Sequence, residues 1–196
     1  MNGSPGVFVD RDGTLIRDVG YLNRLEQMEV LPGVPEAIRL LHEGGLKVAV
    51  ITNQSAVARG LLGEEELENI HQELKSLLGK RGASLDGIYY CPHHPTEGTG
   101  PYRVICDCRK PNVGLARRAV AELSLDPGRS YVVGDQARDM EFAARIGARG
   151  ILIQDHGPET GERRALLAFR SDSSVYVVKD LWEAARWIVK DLRAQG

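Results

Sequence analysis

The sequence predicts an α/β fold: a single domain on a Rossmann-like, mostly parallel sheet with helices on both faces and no separate cap domain. Three observations carry this. Short β-branched runs alternate with longer amphipathic runs along the chain, the pattern of strands joined by crossover helices. The strand-like runs are apolar almost without a break, as in Val7-Phe8-Val9 and Leu46 to Ile51, which suits strands covered on both faces. Several of these runs exit into polar clusters, DRDGT, TNQS and GDQARD, where open parallel sheets bind ligands.

Taken in order, Val7-Phe8-Val9 predicts a strand ending at Asp10. Pro35 to His42 predicts a helix closed by Gly44-Gly45. Leu46 to Ile51 predicts a buried strand, since Val48, Val50 and Ile51 are β-branched and the run is short. Glu64 to Lys80 predicts a long amphipathic helix with Leu67, Ile70, Leu74, Leu77 and Leu78 on one side. Gly87 to Cys91 predicts a strand, followed by a loop rich in Pro, His, Gly and Cys from Pro92 to Pro111. Gly114 to Leu123 predicts a helix, Tyr131 to Val133 a strand running into Gly134-Asp135, and Asp139 to Ile146 a helix stopped by Gly147. Ile151 to Ile153 and Val175 to Val178 are the last expected strands, and Asp180 to Leu192 the last helix. Between Asp10 and Thr52 the Pro35–His42 helix and its strand leave little room for a cap domain.

The totals set bounds. A chain of 196 residues suits one domain spanning 1–196. Its 42% apolar and 27% charged content is ordinary for a globular protein. A net charge of -2 argues against nucleic acid or an anionic membrane as partner. A small-molecule substrate and a monomer are expected. No apolar stretch is long enough to cross a bilayer, and Met1 to Gly6 carries no signal-peptide pattern, so a cytoplasmic location is expected. Three cysteines argue against a closed disulfide framework. All three, Cys91, Cys106 and Cys108, lie in one short region, which points to a metal.

The polar exits suggest chemistry. In an extended stretch, residues two apart share a side, so Asp10 and Asp12 can face one substrate, one attacking and the other carrying a proton. Thr52 offers a hydroxyl, and the N–H groups after it can point at an anion. Arg109 and Lys110 suit phosphate as a fork and as a point charge. Asp135 and Asp139 are one helical turn apart, and Mg²⁺ takes a few carboxylates with water and phosphate oxygens. Singly, each also reads as ordinary structure: a solvated turn, a helix cap or a surface pair.

Together and in this order, the clusters resemble the four motifs of the haloacid-dehalogenase superfamily of phosphotransferases. DRDGT is similar to its first motif, ITNQS to its second, the Lys110 region to its third and GDQARD to its fourth. The resemblance implies Asp10 as nucleophile, forming an aspartyl-phosphate, and Asp12 as the acid and then the base. It implies that Thr52 and Lys110 hold the phosphoryl oxygens. Mg²⁺ would be held by Asp10, the Asp12 backbone carbonyl and Asp135, with Asp139 supporting from behind.

The loop from about 91 to 110 narrows the reading. Cys91-Pro92-His93 and Cys106-Asp107-Cys108 offer three thiolates and one imidazole, a closed tetrahedral set for structural zinc. His94 competes with His93, and the symmetry of C-x-H with C-x-C favours His93. CPHHP followed by CDCRKP inside the four-motif frame closely resembles the heptose 1,7-bisphosphate phosphatase family. The resemblance implies a sugar bisphosphate losing its C7 phosphate. It adds substrate contacts at Asp18, Val19, Gly20 and Tyr21, at Thr52, Asn53, Gln54 and Ser55, at Arg109 and Lys110, and at Gln136. Gln136 stands where that family often has Lys, so a cationic contact is absent or supplied elsewhere. The zinc loop is expected to form part of the site wall. Histidinol-phosphate phosphatases share the zinc-loop pattern and are the first alternative. A polynucleotide 3′-phosphatase lacks support from the mild acidity. A non-catalytic phosphate-binding module is disfavoured by the intact Asp10, Asp12, Lys110 and Asp135 set.

Overall fold

In the computed structural model, which describes residues 3–154 and 175–195 of the expected 1–196 domain, the strand-like runs pair as parallel neighbours. They are β1 (Gly6–Val9), β2 (Lys47–Asn53), β3 (Gly87–Cys91), β4 (Tyr131–Gly134), β5 (Arg149–Ile153) and β6 (Val175–Val178). Their order is β3-β2-β1-β4-β5-β6, and every described pairing is parallel. β1 and β4, central in the sheet, are buried along their whole length.

The five described helices are α1 (Val34–Glu43), α2 (Glu64–Gly79), α3 (Gly114–Leu123), α4 (Ala137–Ile146) and α5 (Leu181–Gln195). Alternation along the strands divides the core in two. Val7, Val9, Val48, Val50 and Val133 face α1, α2 and α5 through Ile38, Leu41, Leu67, Leu74 and Ile188. Phe8, Ala49, Ile51 and Val132 face α3 and α4 through Leu115, Ala119 and Phe142. Phe8 and Phe142 meet edge to face, with centroids 6.4 Å apart. Helices therefore cover both faces, and no separate cap appears among the described residues.

Several boundaries shift from expectation, among them the start of β5 and the end of α5, and two of the shifts have identifiable reasons. β2 runs on through Thr52 and Asn53, because these pair with Tyr90 and Cys91 of β3. Helix α4 starts at Ala137 rather than Asp139, because the Asp139 carboxylate accepts the Gln136 N–H at 3.1 Å and caps the turn from inside.

The topology positions the site. Sequence order reverses between β1 and β4, the switch point at which doubly wound sheets open a crevice. Val9 is level with Val50 and Val133. Asp10 therefore leaves the sheet beside Gly134-Asp135, and its N–H donates to Val133 O at 2.9 Å.

Candidate active site

Asp10, Asp135 and Asp139 converge: one carboxylate oxygen of each lies within 4.8 Å of the others. Glycine makes this approach possible. Gly13 has φ +72°, and a Cβ there would collide with the Asp135 carboxylate; a Cβ on Gly134 would collide with Asp139.

Charge is unevenly compensated in the cluster. Lys110, 4% exposed, places Nζ 3.1 Å from Asp10 Oδ1 and 2.7 Å from Asp139 Oδ1. Burial works to lower the Lys110 pKa, but the two carboxylates outweigh it and the net shift is upward. Both Asp139 oxygens are engaged, by Lys110 and by the Gln136 N–H. Asp135 differs: its Oδ1 is buried without a hydrogen-bond partner. Burial, then Asp10 and Asp139, push its pKa up to about 8. A carboxylate oxygen left open beside two other carboxylates fits a hard divalent cation that prefers oxygen ligands and keeps waters.

Asp12 faces a different environment. Its carboxylate accepts from the Arg11 guanidinium and, at 2.8 Å, from Gln54 Nε2. Burial raises its pKa, opposed mainly by Arg11.

A cleft of about 450 Å³ opens over these groups, a size suited to a small metabolite. Asp10, Asp12 and Asp135 line it with Thr52, Asn53 and Ser55 from the β2 exit, and with Asp18, Gly20 and Tyr21 from the segment after β1. Arg109 and Gln136 line it too. Asn53 also clamps the Lys110 backbone, donating to its O at 3.1 Å and accepting from its N at 2.9 Å. Three expected contacts, Val19, Gln54 and Lys110, do not line the cleft. Gln54 is 5% exposed, with its amide spent on Asp12, Thr52 and Arg11, so it cannot turn to a substrate. Val19 is exposed but does not line the cleft. Lys110 reaches the site from beneath, through Asp10.

The cleft also holds Arg59 and Arg138, which the sequence reading passed over, and His94, which it weighed only as a zinc ligand. Arg59 pairs with Glu97 and sits 5.2 Å over the Tyr21 ring. Burial, then Arg138 and Arg59 among its neighbours, lower the Arg109 pKa. Three arginines thus share one region, and Arg138 brings a cation two residues beyond Gln136. A usable signal existed: Arg138 occupies the first turn of α4, where the helix dipole disfavours a cation.

The cysteine loop closes on itself. The sulfurs of Cys91, Cys106 and Cys108 are 3.1, 3.2 and 3.6 Å apart, and His93 Nδ1 lies 3.2 Å from Cys108 and 3.7 Å from Cys91. A tetrahedron with zinc–sulfur arms of about 2.3 Å has edges of roughly 3.8 Å, close to this arrangement. Burial and neighbouring sulfurs raise the Cys91 pKa, and burial first pushes that of Cys108 up to about 11. The four ligand atoms lie close enough together to suit one metal ion. His94 points elsewhere: its Nδ1 accepts from Thr96 N and Glu97 N.

Comparison with known proteins agrees with this geometry. Residues 107–184 match the HAD-hydrolase-like family model. The solved structure of D,D-heptose 1,7-bisphosphate phosphatase from B. bronchiseptica, complexed with magnesium and phosphate, superposes with a TM-score of 0.80 at 31% identity, covering 95% of this chain and 99% of that one. Fold and site thus define a phosphomonoesterase of the HAD-like hydrolases. The D-glycero-beta-D-manno-heptose-1,7-bisphosphate 7-phosphatase of Haemophilus influenzae is 40% identical over 172 residues, 86% of this chain and 92% of the relative. Its Escherichia coli counterpart is 41% identical over 160 residues, 81% of this chain and 83% of the relative. The chain belongs to the D-glycero-beta-D-manno-heptose-1,7-bisphosphate 7-phosphatase family.

Proposed function

We infer that the protein hydrolyses the C7 phosphate of D-glycero-D-manno-heptose 1,7-bisphosphate, giving heptose 1-phosphate and inorganic phosphate for nucleotide-activated heptose synthesis. The observation that carries this reading is the cleft itself, with buried carboxylates and Lys110 below and three arginines on its wall. The family relatives act on this substrate by name, and histidinol phosphate is not favoured.

Asp10 is the nucleophile. One of its carboxylate oxygens attacks phosphorus, the bond from phosphorus to the C7 oxygen breaks, and Asp12 gives that oxygen a proton. A water then attacks the aspartyl-phosphate, Asp12 takes back a proton, and phosphate leaves with Asp10 restored. Thr52 and Lys110 hold the phosphoryl oxygens. Asp10, the Asp12 backbone carbonyl and Asp135 would hold Mg²⁺, with Asp139 fixing Lys110 behind them. Bound there, the ion supplies charge neutralisation for the transferring group. The second phosphate sits outward against Arg109, which the zinc loop holds in place: Arg109 Nη1 donates to His93 O at 3.0 Å. Asp18, Gly20 and Tyr21 form the facing wall for the sugar.

We assign zinc to Cys91, His93, Cys106 and Cys108 as a structural ion, since four protein ligands leave no open position. The free thiols suit a reducing compartment such as the cytoplasm. No helix among the described residues is long and apolar enough to cross a membrane.

Phosphorus NMR of the product tests the assignment. The C7 phosphate signal should disappear with growth of inorganic phosphate while the C1 phosphate persists. Loss of the C1 signal with C7 retained would overturn the binding orientation.

A further inference from the structure

Arg11 stands between two aspartates in the sequence, yet its side chain is 1% exposed. Burying a guanidinium is costly unless its donors are matched. Here they are matched by groups of the site. Nη2 donates to Asp12 Oδ1 and Oδ2, both at 3.0 Å, and Nε reaches Oδ1 at 3.2 Å. Nη2 also donates to Gln54 Oε1 at 2.8 Å. Gln54 returns the contact: Nε2 donates to Asp12 Oδ2 and to Thr52 Oγ1, each at 2.8 Å. Behind them, Arg11 Nη1 lies 3.3 Å from Nε2 of His71 on α2. An arginine has no acceptor, so His71 must present its lone pair.

Neither Arg11 nor Gln54 lines the cleft. Whatever they contribute to the reaction passes through Asp12 and Thr52. We propose that Arg11 is a positioning residue, which with Gln54 and His71 fixes the Asp12 carboxylate for proton transfer to the leaving oxygen. The inference rests on the reading of Asp12 as acid and base. The guanidinium fork and the Gln54 amide together define the carboxylate plane, leaving little freedom to rotate. A lysine would supply charge at a point but no plane. Proton donation by a positioned side chain contributes about 10²–10⁴-fold to rate, and misplacement by about 1 Å can cost about a hundredfold.

Leaving-group dependence tests this. A sugar phosphate expels an alkoxide that needs a proton, whereas p-nitrophenyl phosphate expels a stable phenolate. In each case kcat/KM reports the steps up to departure of that group. Asp12→Asn should lose much more on the heptose bisphosphate than on the aryl phosphate. Arg11→Met should follow it, losing about a hundredfold on the bisphosphate and under about tenfold on the aryl phosphate. Arg11→Lys should shift the ratio in the same direction by about tenfold, and it decides the matter if Arg11→Met does not fold by thermal melting. If Asp12→Asn loses equally on both substrates, the acid reading fails and the inference with it. If Asp12→Asn discriminates while Arg11→Lys loses equally on both or loses nothing, the acid reading stands and the positioning role of Arg11 is overturned.

Discussion

His71 shows how a single side chain ties the site to stability. It is 1% exposed, and burial, followed by Arg11, lowers its pKa from 6.5 to about 3. The folded state therefore keeps the ring neutral while the unfolded chain protonates it below pH 6.5. That contribution is fully present above pH 6.5 and is lost progressively as pH falls toward 3. Between pH 7.5 and pH 5 the loss should be roughly 2 kcal/mol. Denaturant melts at the two pH values should show it, and His71→Asn should remove that part of the slope; an unchanged slope would mean that His71 titrates normally in the fold. At this scale the sequence was readable only in part. Asp10, Asp12 and Asp135 stood out because carboxylates at strand exits have few other reasons to cluster. Arg11 did not, because an arginine between two aspartates resembles solvated surface, and Gln54 was expected to touch substrate, whereas it is buried against Asp12. Only the packing of α2 against the β1 exit turns them inward.

Among the elements, the loop between β3 and α3 brings His94 and Arg109 to the cleft and Lys110 to Asp10 beneath it. Cys91 ends β3, and Gln54 N donates to Cys91 O at 2.7 Å, so the Cys/His cluster begins beside the β2 exit. Asn112 Nδ2 donates to Cys106 O at 2.7 Å and Gly114 N to Asp107 O at 2.8 Å, which carries the loop into α3. Arg109 and Lys110 follow Cys108 directly, so their backbone is fixed by the cluster and by the Asn53 clamp. Fresh, chelator-free protein should contain about one zinc per chain, and chelation should lower Tm because metal binding adds to folding free energy. Elemental analysis that finds no zinc, or a Tm unmoved by its removal, would show that the loop holds itself. The spacing of the cysteines made this cluster legible in advance. The choice of His93 over His94 rested on symmetry alone, and the fold supplies the reason: the His94 ring is engaged by Thr96 and Glu97 N–H groups.

For the molecule as a whole, the acidic cluster joins parts far apart in the chain. Asp10 leaves β1, Asp135 follows β4, Asp139 belongs to α4, and Lys110 arrives from the loop before α3. A cation there binds only the assembled sheet, so it should stabilise the whole fold. Mg²⁺ at about a hundred times its Kd should add about 2.7 kcal/mol, raising Tm by roughly 5–10 °C for a chain of this size. Differential scanning calorimetry with and without Mg²⁺ measures this. Asp135→Asn should abolish most of the shift, and a shift that survives intact would place the ion elsewhere.

Hydrophobic periodicity was enough to determine the α/β class, and the strand-exit carboxylates and the cysteine spacing to mark a candidate site and a candidate metal loop. Those signals are local, since each lies within one run of residues. Three things waited for the tertiary structure. The strand order sets β1 beside β4 and so brings Asp10 to Asp135. The burial of Arg11 and Gln54 turns both side chains onto the Asp12 carboxylate. The gathering of Arg59, Arg109 and Arg138 in one cleft with Gln136 also comes from the fold. Each depends on contacts between segments distant in sequence, and which of those meet is decided by packing of the sheet and its helices, not by any one segment.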